Sequence, residues 1–293
     1  MYTGNQNSSR GILLMVLAMA AFAIADMFIK LTATTLSSAY TALFLIGGSL
    51  VIFTALAKLQ GHSLLDKAAL TPVLLVRYIA EITATFGMVQ ALEHIPLSSV
   101  GAILQATPLV AAAGAVMMLG ERVSWRRWSA IGLGFVGVLL IVQPGAKTFD
   151  PHVLWAVLAM LGLSARDLTT RATPPGMPSS SLAAYTMMAA MPFAFLWVFL
   201  TEVSVVHVQI NGWLMLGMIF FATTGYLMII ESIRVAPVSV VSPFRYSRLL
   251  FLLVFGVLVF DERPDGLMLG GSLLIIVSGL YAMWRERRAQ KIA

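Results

Sequence analysis

Long uninterrupted apolar blocks run the length of this 293-residue chain and leave few folds open to it. A helix of about 20 apolar residues crosses a hydrocarbon core of roughly 30 Å. Ten such stretches are legible: 11–32, 38–59, 72–92, 97–119, 127–143, 151–171, 180–200, 212–232, 238–260 and 264–284. None alternates apolar and polar residues as a membrane β-strand does, and helices satisfy their own backbone groups where water is absent. Composition agrees: 59% of residues are hydrophobic and 11% charged, against roughly 45–50% and 25% in soluble domains. The expected fold is an all-α integral membrane protein of ten transmembrane helices. Arg10 ahead of Ala18-Met19-Ala20 imitates a secretory signal. The apolar run continues to Ile29, however, and has a counterpart later in the chain, so it reads as a retained helix.

The net charge of +6 does not imply nucleic acid as a partner, because its carriers sit in gaps between apolar blocks rather than on one solvated face. They set orientation instead, since basic residues accumulate in cytoplasmic segments. With the N-terminus inside, the cytoplasmic side holds Arg10, Lys58, Lys67, Arg122, Arg126, Arg127, Arg171, Arg234, Arg285, Arg287, Arg288 and Lys291, and the other side only Lys30, Lys147 and Arg263. Both termini are therefore expected in the cytoplasm, with 285–293 as a basic tail. Arg77, Arg166, Arg245 and Arg248 fall within spans. The chain has no cysteine, hence no disulfide, thiolate metal site or cysteine nucleophile.

A shift of 141 residues superposes the two halves. Val16-Leu17-Ala18-Met19 falls on Val157-Leu158-Ala159-Met160, Asp26 on Asp167, Lys30 on Arg171, Pro96 on Pro237, Ser98 on Ser239, and Glu121-Arg122 on Glu262-Arg263. One offset across a whole half argues for duplication, and defines repeats at 11–143 and 151–284. Five spans per repeat is an odd number, so the second half enters the membrane from the opposite side. Inverted repeats of this kind suit alternating access around a site at their interface.

On these residues the chain resembles the drug/metabolite transporter superfamily, in its two-repeat EamA branch. Pro243-Phe244-Arg245-Tyr246 and Asp261-Glu262-Arg263-Pro264-Asp265 are similar to the bacterial subgroup that includes S-adenosylmethionine uptake carriers, with riboflavin importers further off. The resemblance implies that spans 1, 3, 4, 6, 8 and 9 line a central cavity while 5 and 10 pack peripherally. It also implies that Arg245 and Tyr246 bind the solute.

Ionisable groups inside spans are costly unless they face protein or water. Arg245 and Arg248 share one side of the ninth span. They are read as ligands for a carboxylate, phosphate or electron-rich ring, or as partners of Glu81 or another acid. Tyr246 and its repeat counterpart Gln105 are candidates to orient a ligand or to bond between helices. Arg77 and Glu81, at i and i+4, are spaced for an ion pair. Arg77 lies close enough to the inner end to snorkel, and Glu81, a candidate solute-binding residue, is open to neutralising Arg245, contacting a cationic group or taking up a coupling proton. Asp26/Lys30 and Asp167/Arg171 repeat an acid four residues before a base and read as gating or structural ion pairs.

Gly132-Leu133-Gly134-Phe135-Val136-Gly137 fits G-x-G-x-x-G but lacks the strand that motif needs, so its glycines read as packing residues. His62, His94, His152 and His207 lack metal-ligand spacing, and no cofactor or metal is expected. The expected function is a secondary transporter of a small polar metabolite (S-adenosylmethionine-like, riboflavin-like or amino-acid-like) in a bacterial inner membrane. Its expected partners are lipid and, for coupling, a proton or counter-substrate. Two complete repeats make a monomer sufficient, and a dimer is compatible. A lipid flippase or export accessory, and less so an intramembrane enzyme, are the alternatives.

Overall fold

The computed structural model describes residues 6–62, 67–119, 125–144, 149–171, 177–201, 211–236 and 238–290. Glu121, Arg122, Lys147, His207, Pro237 and residues 291–293 lie outside the described residues, as do the side chains of Arg171 and Ser239. The described helices, in chain order, are α1 Gln6–Thr32, α2 Ser38–Leu59, α3 Pro72–His94, α4 Leu97–Leu104, α5 Thr107–Leu119, α6 Trp125–Val142, α7 Val153–Arg171, α8 Ser179–Leu200, α9 Gly212–Val235, α10 Val238–Val241, α11 Ser247–Phe260 and α12 Gly266–Gln290. Among the described residues nine stretches are long and apolar enough to cross a membrane, and the shorter Trp128–Val142 makes the tenth. Large apolar side chains such as Phe199, Trp213 and Leu258 are exposed on the outside of the bundle, as a lipid-facing surface requires. The last helix continues through 285–290, where the sequence reading placed a tail.

Spans four and nine are broken at equivalent places. α4 passes into α5 through Gln105-Ala106, whose N–H groups bond three residues back to Ala102 and Ile103. In span nine a 3₁₀ turn, Ser242–Tyr246, joins α10 to α11. The prolines explain the breaks. Pro108 has no N–H to offer the Leu104 carbonyl, which accepts instead from Thr107 Oγ1 at 2.6 Å. Each tight turn advances its helix by three rather than 3.6 residues per turn and so reorients the side chains around it.

Packing follows the duplication. α1 lies on α9 and α3 on α7, while α2 pairs with α8, α4 with α11 and α6 with α12. Exchanging the halves turns the first pair into the second, and the pairs α2 with α8 and α6 with α12 each into itself. Gln105 marks the axis: its Nε2 donates to the carbonyl of its own counterpart, Tyr246, at 3.0 Å. An inverted two-fold arrangement produces this pattern.

Glycine permits the closest crossing. A Cβ on Gly87 would lie 2.8 Å from Ala159 N and Trp155 O; one on Gly162 would lie 2.7 Å from Ala84 N and 2.8 Å from Ala80 O. Backbone cannot yield as a side chain can. Gly162→Val should therefore lower thermal stability by at least the roughly 1–3 kcal/mol typical of overpacking, read as a lost monodisperse peak or a lower Tm. Gly132→Ala, which meets nothing within 4 Å, should leave both unchanged.

Candidate functional site

Between the halves lies a cavity of about 220 Å³. Its wall comes from α1, α3, α4, α5, α7, α9 and the 3₁₀–α11 segment, plus Leu45 of α2, with none from α6, α8 or α12. These are the spans the resemblance implies. Three arginines and two acids stand in that wall: Arg166, Arg245, Arg248, Asp26 and Glu81. Charge at this depth is tolerated when paired and hydrogen-bonded. Arg248 sends Nε (3.1 Å) and Nη2 (2.6 Å) to Asp26 Oδ2 and lies over the Phe22 ring. Arg166 joins Asp167 Oδ1 (2.9 Å) to Glu81 Oε1 (3.5 Å). Arg245 Nη1 reaches Asp167 Oδ2 at 3.3 Å and is the most open of the three, its side chain 31% exposed.

Several expected pairings are replaced. Asp26 bonds Arg248 rather than Lys30, because a bidentate partner reaches it across the interface of the halves. Lys30 instead donates to the carbonyls of Ile95 (2.6 Å) and Leu92 (3.3 Å) at the end of α3. Glu81 neutralises Arg166 rather than Arg77 or Arg245, and its Oε2 has no hydrogen-bond partner. Arg77 does not snorkel. It is 3% exposed and donates to Thr170 Oγ1 (3.0 Å), Thr186 Oγ1 (2.6 Å) and the Tyr226 hydroxyl (3.5 Å). Asp167 is held by Arg166 and Arg245, and its expected partner, the Arg171 side chain, is outside the described residues.

Gln105 lines the cavity, but Tyr246 does not. Its ring turns toward Gly279 of α12, where a Cβ would overlap it, and its buried hydroxyl has no hydrogen-bond partner. Removing an unsatisfied hydroxyl while keeping the ring costs little. Tyr246→Phe should transport at the wild-type rate with unchanged or slightly higher Tm; a severalfold loss of transport would restore the tyrosine to the site.

One end of the cavity is sealed. Ile29, Leu36, Ile95 and Leu97 are 4% exposed or less there. Across the halves, Glu262 clamps the start of α4, accepting from Leu97 N (2.5 Å), Ser98 N (2.9 Å) and Ser98 Oγ (2.6 Å). A carboxylate at a helix N-terminus satisfies orphan donors and the helix dipole together. Two local features place it. Asp261 takes a left-handed conformation, φ 53°, which ends α11 and lets Glu262 N bond Gly256 O. Gly256 has no Cβ to occupy the space its carboxylate needs. Ser38 bonds Glu93 at the same end. Beyond the spans His152, through its N–H and then its ring, holds the Asp150 carboxyl below its ordinary range. At the opposite end exposure rises: Asp167 is 22% exposed, Arg245 31%, and Thr170 is open. The Glu-Arg and Pro-x-Ser repeats signalled the clamp, since Glu262 and Pro96 belong to one membrane face; their counterparts in the opposite halves, Glu121 and Pro237, are outside the described residues.

Two inverted five-span halves around a charged interfacial cavity are an arrangement that transporters use. The pattern of the EamA-like transporter family matches residues 9–143 and again 151–284, and the chain belongs to that family. It is similar to the S-adenosylmethionine uptake transporter of Rickettsia prowazekii (23% identity, 95% of this chain and 94% of the relative). It is also similar to the pseudopaline exporter of Pseudomonas aeruginosa (24%, 92% and 94%) and the riboflavin transporter of Vibrio cholerae (26%, 65% and 64%). A solved crystal structure shares the fold at TM-score 0.64 and 16% identity, covering 96% of this chain and 99% of that one.

Proposed function

We propose that the protein carries a small polar organic metabolite across a bacterial inner membrane by alternating access, both termini being cytoplasmic. The observation that carries this reading is the arginine-lined cavity on the interface of the halves, sealed at one end and open at the other. Under the orientation set by the basic residues, the sealed end is periplasmic and the conformation inward-open. Arg245 is the first solute ligand. Among the described residues it has one hydrogen bond, to Asp167, so further guanidinium donors remain for a carboxylate or other acceptor. Gln105 lines the same cavity with an acceptor oxygen, one of its two amide N–H groups being given to Tyr246 O. The relatives frame the panel to test: S-adenosylmethionine, riboflavin and opine- or amino-acid-like compounds.

Reconstituted vesicles loaded with each labelled compound provide the test. Wild type should accumulate or exchange one class unchanged, and Arg245→Ala should reduce that flux at least about tenfold, as loss of a charge-assisted contact implies, at equal membrane abundance. Asp167 stays paired with Arg166 in that variant, so the fold should survive. Undiminished flux would remove Arg245 from the site.

A further inference from the structure

Arg77 stands apart from the other arginines within the spans. Those three each contact a carboxylate: Asp26 contacts Arg248, Glu81 contacts Arg166, and Asp167 contacts both Arg166 and Arg245. Arg77 has no carboxylate within ion-pair distance among the described residues, although it is 3% exposed. Three hydroxyls hold it. Two are already committed as donors, Thr186 to Leu182 O and Thr170 to Arg166 O, both at 2.7 Å, so each turns a lone pair to the guanidinium. The third belongs to Tyr226, which lines the cavity. One hydroxyl therefore separates Arg77 from the solute space. Other ion pairs do not balance it: Arg10 and Glu231 neutralise each other on an open surface (68% and 46% exposed). Among the described side chains around the cavity four arginines face three carboxylates, a surplus of one positive charge.

A surplus charge in a low-dielectric site has a long reach and a high desolvation cost. Hydroxyls orient around it without cancelling it. A solute anion would cancel it, so that the loaded cavity closes without a net buried charge and the empty one does not. Resting on the carrier reading above, we propose that Arg77 is a specificity-determining residue that selects solutes of net negative charge, namely carboxylate-bearing organic anions, over neutral and cationic ones. Arg245 and Arg248 contact the carboxylate; Arg77 sets the charge that the site as a whole prefers.

The test is thermal stabilisation of the purified full-length protein at pH 7 and constant ionic strength. The probes are L-glutamate, malate and citrate as anions, L-glutamine and riboflavin as neutral compounds, and S-adenosylmethionine and L-lysine as cations. At least one anion should stabilise wild type, and glutamate should bind more tightly than glutamine by about 30-fold, the ratio for one unit charge roughly 8 Å away at an effective dielectric of about 20. Arg77→Gln should abolish that preference and Arg77→Lys should keep it. Thr186→Glu, which leaves Arg77 in place and supplies the missing carboxylate, should also abolish it, and serves if Arg77→Gln does not fold. A latch role alone would move Tm and not the charge preference. Stabilisation of wild type by a cation or neutral compound with none by the anions, no response to any anion, or an intact preference in Thr186→Glu overturns the proposal. Counterflow of a cationic or neutral solute in vesicles would overturn it while leaving the carrier reading standing; anion binding with no flux of any solute would overturn the carrier reading instead.

Discussion

Glu262→Ala is expected to abolish most concentrative transport while opening the sealed end of the cavity. The side chain accepts three hydrogen bonds from the start of α4, each charge-assisted and worth about 1.5–3 kcal/mol in protein measurements. Water replaces part of that when the contact opens, so the net loss to the sealed conformation is on the order of 3 kcal/mol, or roughly 150-fold in a two-state population. The chain has no cysteine, so a single cysteine at Val89, a cavity residue 1% exposed, reports the change cleanly. Its labelling by an impermeant maleimide added on the side of the sealed end should rise steeply in the Glu262→Ala background. Glu262→Gln, which keeps an acceptor without the charge, should fall between. Labelling that stays at the wild-type level would show that the apolar plug of Ile95 and Leu97 closes the end without the clamp.

Asp26→Ala should be the most destabilising single change in the cavity wall. Arg248 places two donors on one oxygen of Asp26, whose side chain is 5% exposed. Removing the acid leaves the guanidinium uncompensated, and breaking a buried pair in this way costs about 3–5 kcal/mol. Arg248→Leu removes the charge as well. The double variant Asp26→Ala/Arg248→Leu should therefore recover much of the Tm lost in Asp26→Ala, without recovering transport. Additive losses in the double variant would mean that the two residues act independently, against the geometry. The pair joins α1 of the first half to α11 of the second, so this measurement also reports how far the interface between the halves holds the bundle together.

The spans were legible because a hydrocarbon solvent demands runs of apolar residues, and the repeat because acids, bases and prolines kept one offset. The pairing of the charges was not. Asp26/Lys30 and Arg77/Glu81 satisfy i,i+4 spacing, but spacing says which neighbours share a helix face and not which helix comes to meet it. The partners Asp26 and Arg248 are 222 residues apart. Tyr246 failed for a different reason. A 3₁₀ turn rotates successive residues by about 120° rather than 100°, so a short stretch of it sends a residue predicted for the cavity toward α12. Gln105, on the other side of the axis, kept its place in the wall. Arg77 was assigned to the water boundary because a long side chain near a helix end usually reaches it. Hydroxyls from α7, α8 and α9 hold it inside, and short polar side chains on three distant helices leave no pattern along the chain.

The pairing of α6 with α12 lies away from the cavity, and there the two backbones touch at a pair of glycines, with Ile141 and Ile275 packed beside them. A Cβ on Gly137 would come within 2.7 Å of Gly271 O, and one on Gly271 within 2.6 Å of Gly137 O. Interdigitated side chains make a crossing behave like meshed gears, which must disengage before either shaft can turn. Where the two glycines touch there are no such teeth, and the contact is nearer to a bearing. Under the alternating-access reading proposed above, the halves would pivot most cheaply at such a place, and bulk added there should slow transport while leaving affinity for the cargo intact.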